Sequence, residues 1–184
     1  MSAKVQKRLK AEFKDAILEA DSFRGDERAL VALKDWVRVA EFLRDDPKCA
    51  MDHFGDFTAV DWPERDGERF ELVLYVRSIE HSHRMFLRTW VAEGKDAPTL
   101  SNVWAGANWA EREVYDMFGV KFAGHKDMRR ILLYEEFEGY PLRKDYPIDR
   151  AQPLVEYRTD PGTTKLPPFG IDEGQPFARI MESQ

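Results

Sequence analysis

Apolar residues near the start of the chain recur at helical intervals. Val5, Leu9, Phe13, Ala16 and Ile17 stand three or four apart among Lys, Arg and Glu, so residues 4–20 are expected to form one amphipathic helix covering a sheet. Gly25 marks a turn within 21–26. The short Leu-, Val- and Ala-rich run 28–34 is expected as a strand. Asp35 is placed to cap a second helix over 36–44, with Trp36, Val37, Ala40 and Leu43 on its buried side and Asp46-Pro47 ending it. The period then changes to two. Residues 57–62 alternate up to Pro63, 70–79 put Phe70, Leu72, Leu74 and Val76 on one face, and 84–91 follow a turn at 80–82. These three strands read as an antiparallel meander, with Asp66-Gly67 in the first turn. Residues 92–98 read as a loop and 101–104 as a short helix.

The densest chemistry lies in 105–147. Asn108 and Glu111 have the spacing of a helix capping box, and Gly119 can end the same helix in a left-handed conformation. Trp109, Glu113 and Asp116 share a face by spacing. Beyond the helix come His125, Arg129 and Arg130, the apolar run Ile131-Leu132-Leu133-Tyr134, the acidic group Glu135, Glu136 and Glu138, and the closing stretch Gly139-Tyr140-Pro141-Leu142-Arg143-Lys144-Asp145-Tyr146-Pro147. Carboxylates three apart with a nearby histidine could hold a divalent cation, so Glu113, Asp116 and His125 are the candidate metal site of a stand-alone enzyme. The plainer reading is an interlocking charge network with Arg112, Arg129 and Arg130. Aromatic rings among arginines in the same stretch suit the centre of a protein interface.

Composition narrows the choice. The 184 residues carry a net charge of −6, which argues against nucleic acid as a partner. A single cysteine, Cys49, excludes an internal disulfide, a four-cysteine zinc site and an iron–sulfur cluster, and fits a reducing compartment. His53 reads as a loop residue, and His81 and His83 as exposed turn residues without a third ligand. Gly106, Gly119 and Gly124 are too far apart for a dinucleotide fingerprint, and there is neither a phosphate-binding loop nor a nucleophile elbow. No apolar run reaches membrane-spanning length and no secretory apolar region opens the chain, so a cytoplasmic or peripheral protein is expected.

The run Glu111-Arg112-Glu113, Asp116-Met117-Phe118, His125 and Arg129-Arg130-Ile131-Leu132, followed by the stretch 139–147, resembles the signature of the C subunit of bacterial respiratory NADH–quinone oxidoreductase (complex I). The close match spans about 111–147. Weaker similarity reaches back to Asp61-Trp62-Pro63 and Asp45-Asp46-Pro47. One departure is Lys126, where the family usually has proline, which leaves that turn less rigid. The resemblance implies a non-catalytic subunit of the hydrophilic arm, on the cytoplasmic side of the membrane and touching it only indirectly. It would pack against the D subunit and neighbouring components of the hydrophilic arm. The complex passes electrons from NADH through FMN and iron–sulfur clusters to quinone. Those cofactors would lie in partner subunits, with none in this chain.

The expected fold is α+β: a small, mostly antiparallel sheet with packed helices over 1–147, ending in the signature helix and its return, then an extended Pro/Gly-rich tail over 148–184 lying on a partner. Phe169, Ile171, Phe177 and Ile180 are its candidate anchors. Glu111, Arg112, Glu113 and Asp116 are expected to hold the helix against His125, Arg129 and Arg130. Arg143, Lys144 and Asp145 complete the signature at the interface. Loss of Arg129 or Asp116 is expected to impair assembly.

Overall fold

A computed structural model describes residues 3–153. The tail's candidate anchors lie outside the described residues. Helix α1 covers Ala3–Glu12, then β1 (Ile17–Phe23) and β2 (Asp26–Val31) form a hairpin. A single 3₁₀ turn, Leu33–Asp35, leads into α2 (Trp36–Asp45). Strands β3 (His53–Asp61), β4 (Phe70–Ser78) and β5 (His83–Val91) follow. The two-residue strand β6 (Ala97–Pro98) pairs with β7 (Phe122–Ala123), on either side of α3 (Ala107–Phe118).

The first helix is shorter than its periodicity suggests. Val5, Leu9, Phe13 and Ala16 are all buried, yet the helix stops at Glu12 and Ile17 begins a strand. A helix and a turn followed by a strand both satisfy the spacing of Phe13, Ala16 and Ile17, and pairing with β2 decides between them. That hairpin turns at Arg24 and Gly25, both with positive φ, as a tight two-residue hairpin loop requires. The turn is therefore confined to two residues, and the strand 28–34 starts earlier and ends at Val31.

The main sheet has the order β1-β2-β5-β4-β3. The β3–β4–β5 meander is antiparallel, as expected, but β2 joins β5 in parallel, with α2 in the crossover. One face of the sheet is core. Phe57 and Ala59, then Phe70, Leu72, Leu74 and Val76, then Met85, Leu87 and Val91 alternate inward against Leu9, Trp36, Val39, Leu43 and Val114 from the helices. Fully burying one such large side chain contributes about 1.5–3 kcal/mol. In α2 the buried stripe is Trp36, Val39, Ala40 and Leu43, with Val37 only half-buried. Asp35 sits at the cap position without making a capping bond. The outer face carries paired rings and charges: Tyr75 with Phe86, Trp62 with Trp90, and Arg28 with Asp21.

Residues 101–104 close as a single turn, with Trp104 N donating to Leu100 O at 3.0 Å, instead of forming a helix. The Trp104 indole then donates to Met51 O at 3.0 Å, fixing the approach to α3. Helix α3 packs against β3. It ends at Gly119, whose φ of 77° is the left-handed conformation expected there. Gly119 N donates to Tyr115 O at 2.8 Å. The chain then returns across α3.

Candidate functional site

Two buried carboxylates organise the signature, on different sides of α3. Glu111 lies on the core side of the helix, fully buried. Its oxygens accept from the Thr99 hydroxyl and from Leu100 N, each at 2.5 Å. It therefore does not close a capping box on Asn108. The helix starts two residues earlier, with Gly106 in the cap position, and Glu111 is committed to the preceding loop. Burial pushes the Glu111 pKa above the usual carboxylate range, against the pull of the Thr99 and Leu100 bonds. His125 Nε2 is 4.0 Å from Glu111. It lies 3.2 Å from Asn108 O, while Nδ1 accepts from Asp127 N at 3.1 Å. Those two partners place the proton of a neutral His125 on Nε2, which donates to Asn108 O.

Asp116 is fully buried on the other side of α3, under the returning chain. Its Oδ2 accepts three consecutive backbone N–H groups: Ile131 at 3.0 Å, Leu132 at 2.8 Å and Leu133 at 2.9 Å. Its Oδ1 accepts from Arg130 Nη1 at 2.7 Å. Burial alone would raise this pKa. The bonds from Leu133, Arg130, Leu132 and Ile131 together outweigh it and hold the carboxyl below its ordinary range. Arg130 also donates to Phe137 O at 3.0 Å and Gly139 O at 3.1 Å, and its guanidinium lies over the Phe137 and Tyr140 rings. Arg112 bonds the carbonyls of Arg129 and Arg130 at 3.1 and 3.2 Å.

A second lock ties the end of the return to the sheet. Asp61, buried at the end of β3, takes a bidentate bond from Arg69 at 2.6 and 2.8 Å and the Lys144 backbone N–H at 2.8 Å. Hydrogen bonding to Arg69 lowers the Asp61 pKa. Arg69 also reaches Glu93 at 3.1 Å and Asp145 at 2.9 Å. Arg143 donates to Phe118 O at 2.6 Å and pairs with Glu93 at 2.7 Å, lying over Phe70 and Tyr140. Thus Arg143 and Asp145 act through side chains, and Lys144 through its main chain.

The sequence-derived network is partly rearranged. Arg129 is exposed and, among the described residues, its ion pair is with Asp127, at 2.6 Å, so its structural contribution is its carbonyl. Glu113 is exposed and makes no ion pair among the described residues. Glu113, Asp116 and His125 do not converge, and no cluster of three potential metal ligands occurs among the described residues. His81 and His83 cap carbonyls of Pro47 and Cys49 at 2.9 and 2.8 Å. Cys49 is buried and its pKa is pushed up to about 11, chiefly by burial, which disfavours the nucleophilic thiolate. Thr99, Arg69 and Glu93 gave no motif in the sequence, because each acts across a long stretch of chain. A cleft of about 470 Å³ on the outer sheet face, lined by Trp62, Arg65, Glu71, Arg88 and Trp90, was equally silent. In it Glu71 accepts from the Trp62 indole and from Arg88, both at 3.1 Å.

The folded signature is a pair of polar clamps on a small α+β domain, and the fold is shared with a component of an archaeal respiratory membrane complex. One solved likeness is a trypsin-resistant fragment of Nqo5 (TM-score 0.56, 25% identity, covering 67% of this chain and 98% of that one). Another lies in an archaeal membrane-bound sulfane sulfur reductase (TM-score 0.60, 25% identity, covering 79% and 85%). Residues 29–152 match the family described as respiratory-chain NADH dehydrogenase, 30 Kd subunit. The C subunit of NADH-quinone oxidoreductase from Roseiflexus castenholzii is 40% identical over 83% of this chain and 88% of its own, and that from Ruegeria pomeroyi 43% identical over 78% and 75%. A relative from Sulfurihydrogenibium sp., whose name joins the C and D subunits of the same enzyme, is 42% identical over 62% of this chain and 20% of its own. The chain belongs to this family and is a subunit of NADH-quinone oxidoreductase.

Proposed function

We propose that this chain is a non-catalytic structural and assembly subunit of the peripheral arm, on the cytoplasmic side of the membrane, seated against the D subunit. On this reading it holds no cofactor, and FMN and the iron–sulfur clusters belong to partner subunits. The observation that carries it is the commitment of the signature's charges to main chain. Asp116 and Arg130 between them bond Ile131, Leu132, Leu133, Phe137 and Gly139. Groups committed in this way hold a segment in shape and are not free to move protons. The existence of a relative whose name joins C and D supports closeness to the D subunit, since a fusion keeps two chains together. Among the described residues no helix is long and apolar enough to cross a membrane, which suits a peripheral place.

The test is assembly against turnover. A tagged chain carrying Asp116→Asn is expressed in place of the native one and purified from native membranes in mild detergent. The expected result is a several-fold drop in recovered complex, with unchanged NADH–quinone turnover per assembled complex. Normal recovery with lost turnover would instead place Asp116 in the chemistry.

A further inference from the structure

The clamps hold up an apolar side that the described residues leave exposed. Trp109 is 64% exposed, Leu132 62% and Leu142 51%. Trp109 stands on α3, and the returning chain brings Leu132 and Leu142 to the later turns of the same helix. Trp109, Glu113 and Asp116 are on one face by helical spacing. Leu132 is set over that face by the bond from its N–H to Asp116, and Leu142 is set at the helix's C-terminal end by the bond from its N–H to Met117 O at 3.1 Å. The backbone beneath is fixed: Arg112 links the helix to the Arg129 and Arg130 carbonyls, and Asp116 takes three amides in a row. Large apolar groups held out on a rigid frame are what an interface centre needs, because little further ordering is required on binding.

The charges around them specify the occupant. Glu113 is exposed, and so are Glu135 and Glu136 at the tip of the turn closed by Phe137 N to Tyr134 O at 3.1 Å. None of the three makes an ion pair within 4.0 Å among the described residues, although Glu135 is close enough to Arg129 to favour its charge. The basic groups nearby are differently placed. Arg112 and Arg130 are bound to carbonyls, and Arg129 is bound to Asp127. The outer sheet face offers a contrast, since there Arg28 pairs with Asp21, Arg84 with Asp26 and Arg88 with Glu71.

We infer that Trp109, Leu132 and Leu142, rimmed by Glu113, Glu135 and Glu136, form a docking surface for a neighbouring protein that presents an apolar knob surrounded by Lys or Arg. This rests on the reading of the chain as a structural component of the complex and names the surface through which it acts. Exposed acids disfavour an anionic lipid surface and favour a basic protein partner. Paired across the interface, they also steer the encounter.

The experiment uses the full tagged chain in native membranes, with two kinds of variant. The first is the triple reversal Glu113→Lys, Glu135→Lys and Glu136→Lys, and the second is Leu132→Asp. All four positions are exposed, so the purified chain should keep its melting temperature and circular dichroism. A control reversal, Asp66→Lys with Glu80→Lys, lies in the β3–β4 and β4–β5 turns. Recovery of the assembled complex is expected to fall by about tenfold or more for each test variant, and to stay at the wild-type level for the control. Wild-type recovery with both test variants overturns the surface while leaving the structural-component reading intact. Failure of the unmodified chain to bring down any complex overturns both. Sedimentation of the free chain with phosphatidylglycerol vesicles, lost in Leu132→Asp, would replace the protein partner with lipid.

Discussion

At the scale of residues, neighbours in sequence have unlike fates. Asp116 and Arg129 both belong to the signature, but only Asp116 is buried among bonds that nothing else can supply. Asp116→Ala would leave Arg130 without its carboxylate and three amides without an acceptor, a loss of about 3–5 kcal/mol. Arg129→Ala removes an exposed pair, and its melting curve is expected to superpose on the wild type. Denaturant unfolding of the two variants checks the contrast. Glu111 makes the opposite case. Its folded pKa is raised, so its contribution is present below the unfolded value and is lost as pH rises through the folded one. Glutamine there can still accept from Leu100 N and donate to the Thr99 hydroxyl. Glu111→Gln is therefore expected to match the wild type near about pH 4 and to melt higher at about pH 8, since an unfolded Glu titrates near about 4.3. An unchanged difference between the two pH values would show that burial of the charge carries no cost. Nothing in the sequence separated these three residues, because local spacing gives a residue's face but not what later crosses that face.

At the scale of elements, the strands of the meander, the start of α2 and the end of α3 were legible, whereas the end of α1, the strand β1 and the start of α3 were not. Alternation in 70–79 and 84–91 is a local signal and gave β4 and β5 closely. Over 4–20 the local signal suited two structures, and strand pairing far along the chain chose one. The Asn108–Glu111 pair had the right spacing for a cap, but a buried bond to Thr99 and Leu100 took Glu111 instead. Gly119 was legible because its demand is local. It is now doubly constrained, since a Cβ there would come within 2.5 Å of the Tyr140 ring. Gly94 has a similar φ of 75° and open space around it. Gly94→Ala is expected to cost about 1 kcal/mol for the backbone alone, and Gly119→Ala clearly more. Equal costs in parallel urea titrations would mean that Tyr140 moves aside freely.

At the scale of the whole molecule, the return segment is held by two clamps far apart in sequence, one on α3 and one on the sheet. Asp116 with Arg130 fixes its start, and Asp61 with Arg69 fixes its end. Its stability therefore depends on a few polar contacts more than on a core of its own, since Leu132, Tyr134 and Leu142 point outward. Such a segment should open as one unit while the sheet stays closed. Amide hydrogen exchange can show this. In the wild type the Ile131, Leu132 and Leu133 amides, bound to a buried carboxylate, are expected to exchange slowly. In Arg130→Ala they should lose protection together, with Lys144 following part of the way because Asp61 still holds it. The amides of β4, paired on both sides by β3 and β5, should keep theirs. If protection in β4 fell to the same extent, the return and the sheet would form a single cooperative unit. Asp116 would then govern the stability of the whole domain, and a loss of assembly in its variants would no longer single out the shape of the presented segment.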